Sequence, residues 1–156
     1  MQLKEGIFAV KLCELEREYG LLQSTISICQ KKSPDQICRK LEEIKDDLQM
    51  QNRLLELSVQ NSRLPSVSAL AKAQLEYGRK AEKLFHGAMS RDLKGSGQTR
   101  SAEQAEAAAL YSEYAIDFAT QSMRYALACA LSALQLQQEA DDELTKSPQQ
   151  KEESYI

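Results

Sequence analysis

GLLQSTISICQKKSPDQICRKLEEIKDDL, residues Gly20–Leu48, carries a single proline, Pro34, between two apolar rhythms. Upstream, Phe8, Leu12, Leu15, Tyr19, Leu22, Ile26 and Cys29 recur at steps of four and three. That spacing is a heptad seam and predicts a helix over residues 3–31. Downstream, Ile37, Leu41, Ile44, Leu48 and Leu55 keep the same beat, with Gln51 interrupting it and Leu54, Leu57 and Val59 widening the stripe. Ser33 suits the N-cap of this second helix and Pro34 its first position. The helix is predicted to end near residues 63–64, before Pro65.

A short connection favours antiparallel neighbours. Folding the two helices about residues 33–34 pairs positions whose numbers sum to about 67. Cys29 then meets Cys38, Ile26 meets Leu41, Leu22 meets Ile44 or Lys45, and Tyr19 meets Leu48. Leu15 falls opposite Gln51 or Asn52, and Leu12 opposite Leu55. In this register Cys29 and Cys38 form a core layer of reduced thiols beside the turn, with a conditional disulfide as the alternative. A zinc site wants four ligands, and no His lies near them.

Outward from this hairpin, a third helix is predicted from Pro65 to about Leu93, with Ser66 or Ser68 near its first turn. Its apolar positions are Val67, Leu70, Ala73, Tyr77, Ala81, Leu84 and Ala88. KGSGQTR, residues 94–100, reads as a loop. Ser101 with Gln104 resembles a capping box opening a fourth helix that runs to about Leu144. Folding the third helix onto the fourth about residue 97 pairs Leu84 with Leu110, Tyr77 with Ile116 or Asp117, and Leu70 with Met123 or Arg124. An isolated Gly inside a helix costs about 1 kcal/mol relative to Ala. Gly20 and Gly78, each after a Tyr, therefore read as close helix contacts or mild bends.

The composition agrees with few, long elements: 156 residues contain 6 Gly, 3 Pro and no Trp. No alternating strand pattern appears. The expected fold is all-α, an antiparallel up-down four-helix bundle with a long Ala-rich C-terminal helix. Residues 1–145 are expected to form one domain, and residues 146–156 have the composition of a disordered tail. The stretch from Tyr125 to Gln138 is free of charge and apolar on nearly all sides, so the fourth helix is expected to be buried, centrally or against a second chain. It is 14 residues long, short of the roughly 20 that cross a bilayer. With no secretory signal either, a cytoplasmic setting is expected, where thiols stay reduced.

Net charge is −3, which gives no overall basic character to attract nucleic acid. The charge is uneven. Residues 65–100 hold seven Lys/Arg against three Asp/Glu, and residues 101–156 hold three against ten. A basic third helix beside an acidic fourth accounts for this.

Catalytic constellations are sparse. A di-iron bundle needs Glu-x-x-His on two helices. The chain has one His, His86, and Lys83 stands three residues before it. There is no Gly-x-Ser-x-Gly, and the GSG at residues 95–97 follows no strand. Arg79 lies seven residues before His86. This spacing resembles the Arg-x4–6-His pattern of HEPN-type nucleases, which are also all-α. The resemblance implies Arg79 holding phosphate and His86 assisting attack by the ribose hydroxyl. It rests on two residues, and Lys80 stands where those enzymes often carry a small polar residue.

The expected role is therefore non-catalytic, with no catalytic, cofactor or metal residues assigned. An interaction or adaptor protein, self-associating as a homodimer or receiving a partner helix as secretion and flagellar chaperones do, fits best. Its contact surfaces would be the surplus apolar faces of helices 2 and 4. No nucleic acid, cofactor or membrane span is expected.

Overall fold

The computed structural model describes residue 6, residues 8–88 and residues 99–146. They form four α-helices: α1 (Ala9–Cys29), α2 (Pro34–Asn61), α3 (Pro65–Lys83) and α4 (Arg100–Lys146). A single π-turn, Leu84–Ala88, extends α3. Among the described residues there is no strand. The fold is all-α with four helices, and the C-terminal one is the longest at 47 residues. Packing divides the chain into two units, residues 17–111 and residues 1–16 with 112–156. The predicted loop at residues 94–100 and the tail after residue 146 lie almost wholly outside the described residues.

Local chemistry sets the helix starts. Ser33 is the N-cap of α2, extended at φ −69° and ψ 157°, with Pro34 in the first turn. The Gln36 N–H donates to Ser33 Oγ at 3.4 Å, and the Ser33 N–H donates to Gln36 Oε1 at 3.1 Å. This reciprocal pair satisfies two donors that the first turn leaves without helical partners. α4 starts earlier than the sequence predicts. Its cap is Thr99, whose Oγ1 accepts from the Ala102 N–H at 3.3 Å, so Ser101 sits inside the helix.

α3 begins at Pro65 as predicted, with Ser66 and Ser68 in its first turn; Leu64 holds the cap position without a side-chain bond. The Ser68 hydroxyl donates to the Val59 carbonyl at 2.7 Å, across the connection. Val59 lies in the last turn of α2, where carbonyls lose their helical donors. Ser62 closes the gap: its Oγ accepts from the Leu64 N–H at 3.3 Å.

α2 and α3 pack as an antiparallel pair and make the main helix contact of the unit 17–111. Ser68 bonds Val59 near the turn, and the Glu82 carboxylate acts on Lys45 at the far end. The only buried residues described are Ala71 and Leu75, at 6% and 7% exposure. With half-buried Ser68 they form one α3 face; the facing α2 positions are Asn52, Leu55, Val59 and Ser62, all half-buried. The expected α3 seam was different: Val67, Leu70, Tyr77 and Leu84 are all exposed. Ala71 lets the backbones approach, Leu75 fills the space one turn on, and the bulky residues of the expected seam point elsewhere.

Gly78 marks no close contact. A Cβ there would meet nothing within 4 Å, and the same holds at Gly20. Neither has positive φ. Replacing Gly78 by Ala is expected to stabilise α3 by up to about 1 kcal/mol. A chemical denaturation midpoint that falls rather than rises would show that Gly78 is needed for packing.

The start of α4 joins the same unit. Tyr111 donates its hydroxyl to the Ala81 carbonyl at 2.8 Å, and its ring lies 4.8 Å from that of Phe85. Ala81 and Phe85 oppose Tyr111 close to the register predicted by folding about residue 97. Burial first, and the neighbouring Tyr77 second, hold the Tyr111 phenol above its ordinary value of 10.0. The sign follows. Below pH 10 the proton is in place and the bond contributes fully. As pH rises through the raised value, the donor is lost while an unfolded Tyr has already ionised, so stability falls. Stability should fall as pH rises above about 10, and Tyr111→Phe should flatten that part of the stability-versus-pH curve, read by urea denaturation at a series of alkaline pH values.

In the other unit, residues 112–146 of α4 hold their own polar groups locally. Ser122 and Ser132 hydroxyls each donate one turn back, to Phe118 and Ala128 carbonyls, at 2.9 Å. Gln135 donates to Glu139 at 2.9 Å. No residue of this stretch is buried.

Candidate functional site

Arg79 and His86 are the residues that the nuclease resemblance singles out. Arg79 lies on α3 and its guanidinium pairs with the Glu56 carboxylate on α2. Both side chains are about half exposed, so this pair is solvated and contributes little net stability. His86 lies in the π-turn, exposed, with its ring 5.1 Å from that of Phe85, edge to face. The contacts of the two side chains thus lead to different elements, one to α2 and one to the local aromatic pair. The π-turn continues α3 and brings Phe85, not His86, onto Tyr111.

The cysteines are all free thiols. Cys29 is half-buried, and Cys13, Cys38 and Cys129 are exposed. Cys38 therefore does not form the buried layer that the hairpin register predicts. Residues 17–29 of α1 do not pack along α2; Leu22, Ile26, Leu41 and Ile44 are 43–49% exposed. Among the described residues no group of three or more His, Cys, Asp and Glu side chains is placed to hold a metal ion. No described helix is long and apolar enough to cross a membrane.

What remains is an apolar surface with a defined geometry. The α2 seam is continuous in sequence but divided in space. Its C-terminal half, Asn52 to Ser62, is covered by α3. Its N-terminal half, Ile37, Leu41, Ile44 and Leu48, is 40–50% exposed. Charged pairs border that half: Lys40 donates to Glu43 and Lys45 to Glu42, each at 2.8 Å. These hydrogen bonds, before any other cause, raise both ammonium groups above their ordinary value. An apolar strip edged by charged pairs has the layout of an interface core with a polar rim.

α4 offers a second surface. Leu127, Leu131 and Leu134 are exposed in a stretch that has no charge over 14 residues. Tyr125 is exposed too, and its hydrogen bond with the Cys129 side chain one turn on raises its phenol first, with the thiol's charge second. This stretch is thus apolar on nearly all sides and unburied, the reverse of what an apolar helix demands.

Sequence reading missed the Ser68–Ala71–Leu75 face and the Tyr111–Phe85–Ala81 cluster. The first was visible as Ser68, Ala71 and Leu75 at steps of three and four, offset from the expected seam. The second carries no periodic signal, because the π-turn breaks the helical count. Comparison with protein-family models, with curated proteins and with solved structures finds no match to this chain.

Proposed function

We propose that the chain is a non-catalytic interaction protein that associates with itself through the apolar faces of α2 and α4, in the manner of an adaptor or of a chaperone that receives a partner helix. One observation carries this reading: Ile37, Leu41, Ile44 and Leu48 form a heptad seam with 40–50% exposure, while α3 covers the rest of the same seam. Apolar strips of this kind lower their free energy by burial, at about 25 cal/mol per Å² removed from water. Four free thiols fit a reducing, cytoplasmic setting.

The nuclease reading finds no such support, since Arg79 is engaged with Glu56 and His86 with Phe85. Sedimentation equilibrium over a hundredfold concentration range tests the proposal. A mass of two or more chains, dissociating on dilution, is the expected result. A monomer at every concentration would defeat self-association. RNA cleavage that disappears in both Arg79→Ala and His86→Ala would replace it with the catalytic reading.

A further inference from the structure

Resting on that reading, we propose that the apolar stretch of α4 is covered by the same stretch of a second copy, the two helices lying antiparallel about a twofold axis at the level of residues 131–132. Three observations lead there.

The first is the absence of charge. From Tyr125 to Gln138 no charge stands on any side of α4, and none of these residues is buried. Leu127, Leu131 and Leu134 form one strip, 45–59% exposed. A charged side chain laid against this stretch would lose water and find no partner. Its cover is therefore a segment equally free of charge. Elsewhere in the chain only Tyr19–Gln30 of α1 comes close, with 12 residues against 14.

The second is the set of charges that bound these candidates. Matched centre to centre, two antiparallel copies of α4 pair positions whose numbers sum, like those of the two ends of the stretch, to 263. Arg124 then meets Glu139 and Asp117 meets Lys146, each pair occurring twice by symmetry. The remaining charges between residues 117 and 146 are Asp141, Asp142 and Glu143, and they fall opposite Ser122, Gln121 and Thr120. No like charges meet. At helical spacing the four paired residues share one flank of the leucine strip, and a twofold axis brings the same flank of each helix together. The other arrangements fail this count. The chain's own α1, centred on the same stretch, puts Lys32 opposite Arg124 if antiparallel and Arg17 opposite Arg124 if parallel. A parallel second copy puts Arg124 opposite itself. Opposite charges across a seam select partner and direction, and like charges oppose them.

The third is room. Leu131 of one copy comes level with Ser132 of the other, and Leu134 with Cys129. Large residues against small ones let two helix surfaces interlock. Over residues 117–146 the contact runs for about 45 Å.

The test reverses the charges that flank the strip. Arg124→Glu and Glu139→Arg, each alone, set like charges against each other and should weaken self-association about tenfold at low salt. The two together restore the pairing between copies and should return the affinity to that of wild type. The positions lie 15 residues apart on one helix, about 22 Å, so no such rescue arises inside a chain. A second measurement uses full chains with Cys13, Cys29, Cys38 and Cys129 replaced by Ser. Leu131→Cys, beside the twofold axis, should oxidise to a disulfide of two-chain mass. Met123→Cys should not, because its two copies stand about 25 Å apart along the helices. Linking at both positions, or at neither, overturns the proposal, as does a double reversal that fails to rescue. A chain that weighs as a dimer but ignores every charge reversal overturns this pairing and leaves self-association standing. Monomers throughout remove both.

Discussion

Leu75→Ala is expected to unfold the α2–α3 pair at markedly lower denaturant, with a loss of about 2–3 kcal/mol. Leu75 is 7% exposed and is the one bulky side chain buried among the described residues. Truncating a buried Leu removes its transfer energy and leaves a cavity, together about 2–5 kcal/mol. The lower part of that range applies because a two-helix face can close over the gap more readily than a deep core. Leu70→Ala provides the internal control. Leu70 lies on the same helix, 46% exposed, and is the residue that periodicity alone would choose for the seam. Its truncation should cost well under half as much. Equal losses at both positions, measured by circular dichroism in urea, would return the seam to the face predicted from sequence.

Leu127→Glu with Leu134→Glu should weaken self-association about a hundredfold or more while leaving helix content intact. Both side chains are exposed in the single chain, at 59% and 45%. Within the chain they therefore lose little by becoming polar, and Glu is nearly as good a helix former as Leu. In an interface each would forfeit about half of the roughly 1.5–3 kcal/mol for full burial, because about half its surface is already covered. A twofold interface holds each change twice, and four such losses reach the 2.8 kcal/mol or so that a hundredfold change in affinity represents. Light scattering reads the mass, and far-ultraviolet dichroism reads the helix. Loss of helix without change of mass would mean that α4 is held by its own chain and does not face a partner.

The helices themselves were legible in the sequence because their signals are local. Ser33, Pro34 and Gln36 define the start of α2 through bonds spanning three residues, and they appear as predicted. Pro65 separates α2 from α3 for the same reason. The α4 cap was misplaced by two residues because Thr99 and Ser101 carry the same hydroxyl chemistry, and only backbone geometry chooses between them. Which face of α3 turns inward was not legible. Periodicity marks apolar faces but does not rank one against another, and here close approach at Ala71 turns the face that carries Leu75 inward. The pairing of α1 with α2 could be written in numbers, but residues 17–29 do not pack along α2, and Leu22, Ile26, Leu41 and Ile44 stay 43–49% exposed. Arg79 and His86 stood out by spacing alone, and nothing in the sequence announced that Glu56 would engage the first and Phe85 the second.

The π-turn at residues 84–88 carries a lesson for anyone drawing this chain on a helical wheel. A π-turn bonds each residue to one five positions away, so it advances through less angle per residue than the α-helix before it. From Leu84 onward the residues fall progressively behind the phase set at Pro65, as a slow clock falls behind a fast one. Arg79 and His86, two whole turns apart on paper, keep different time in the molecule.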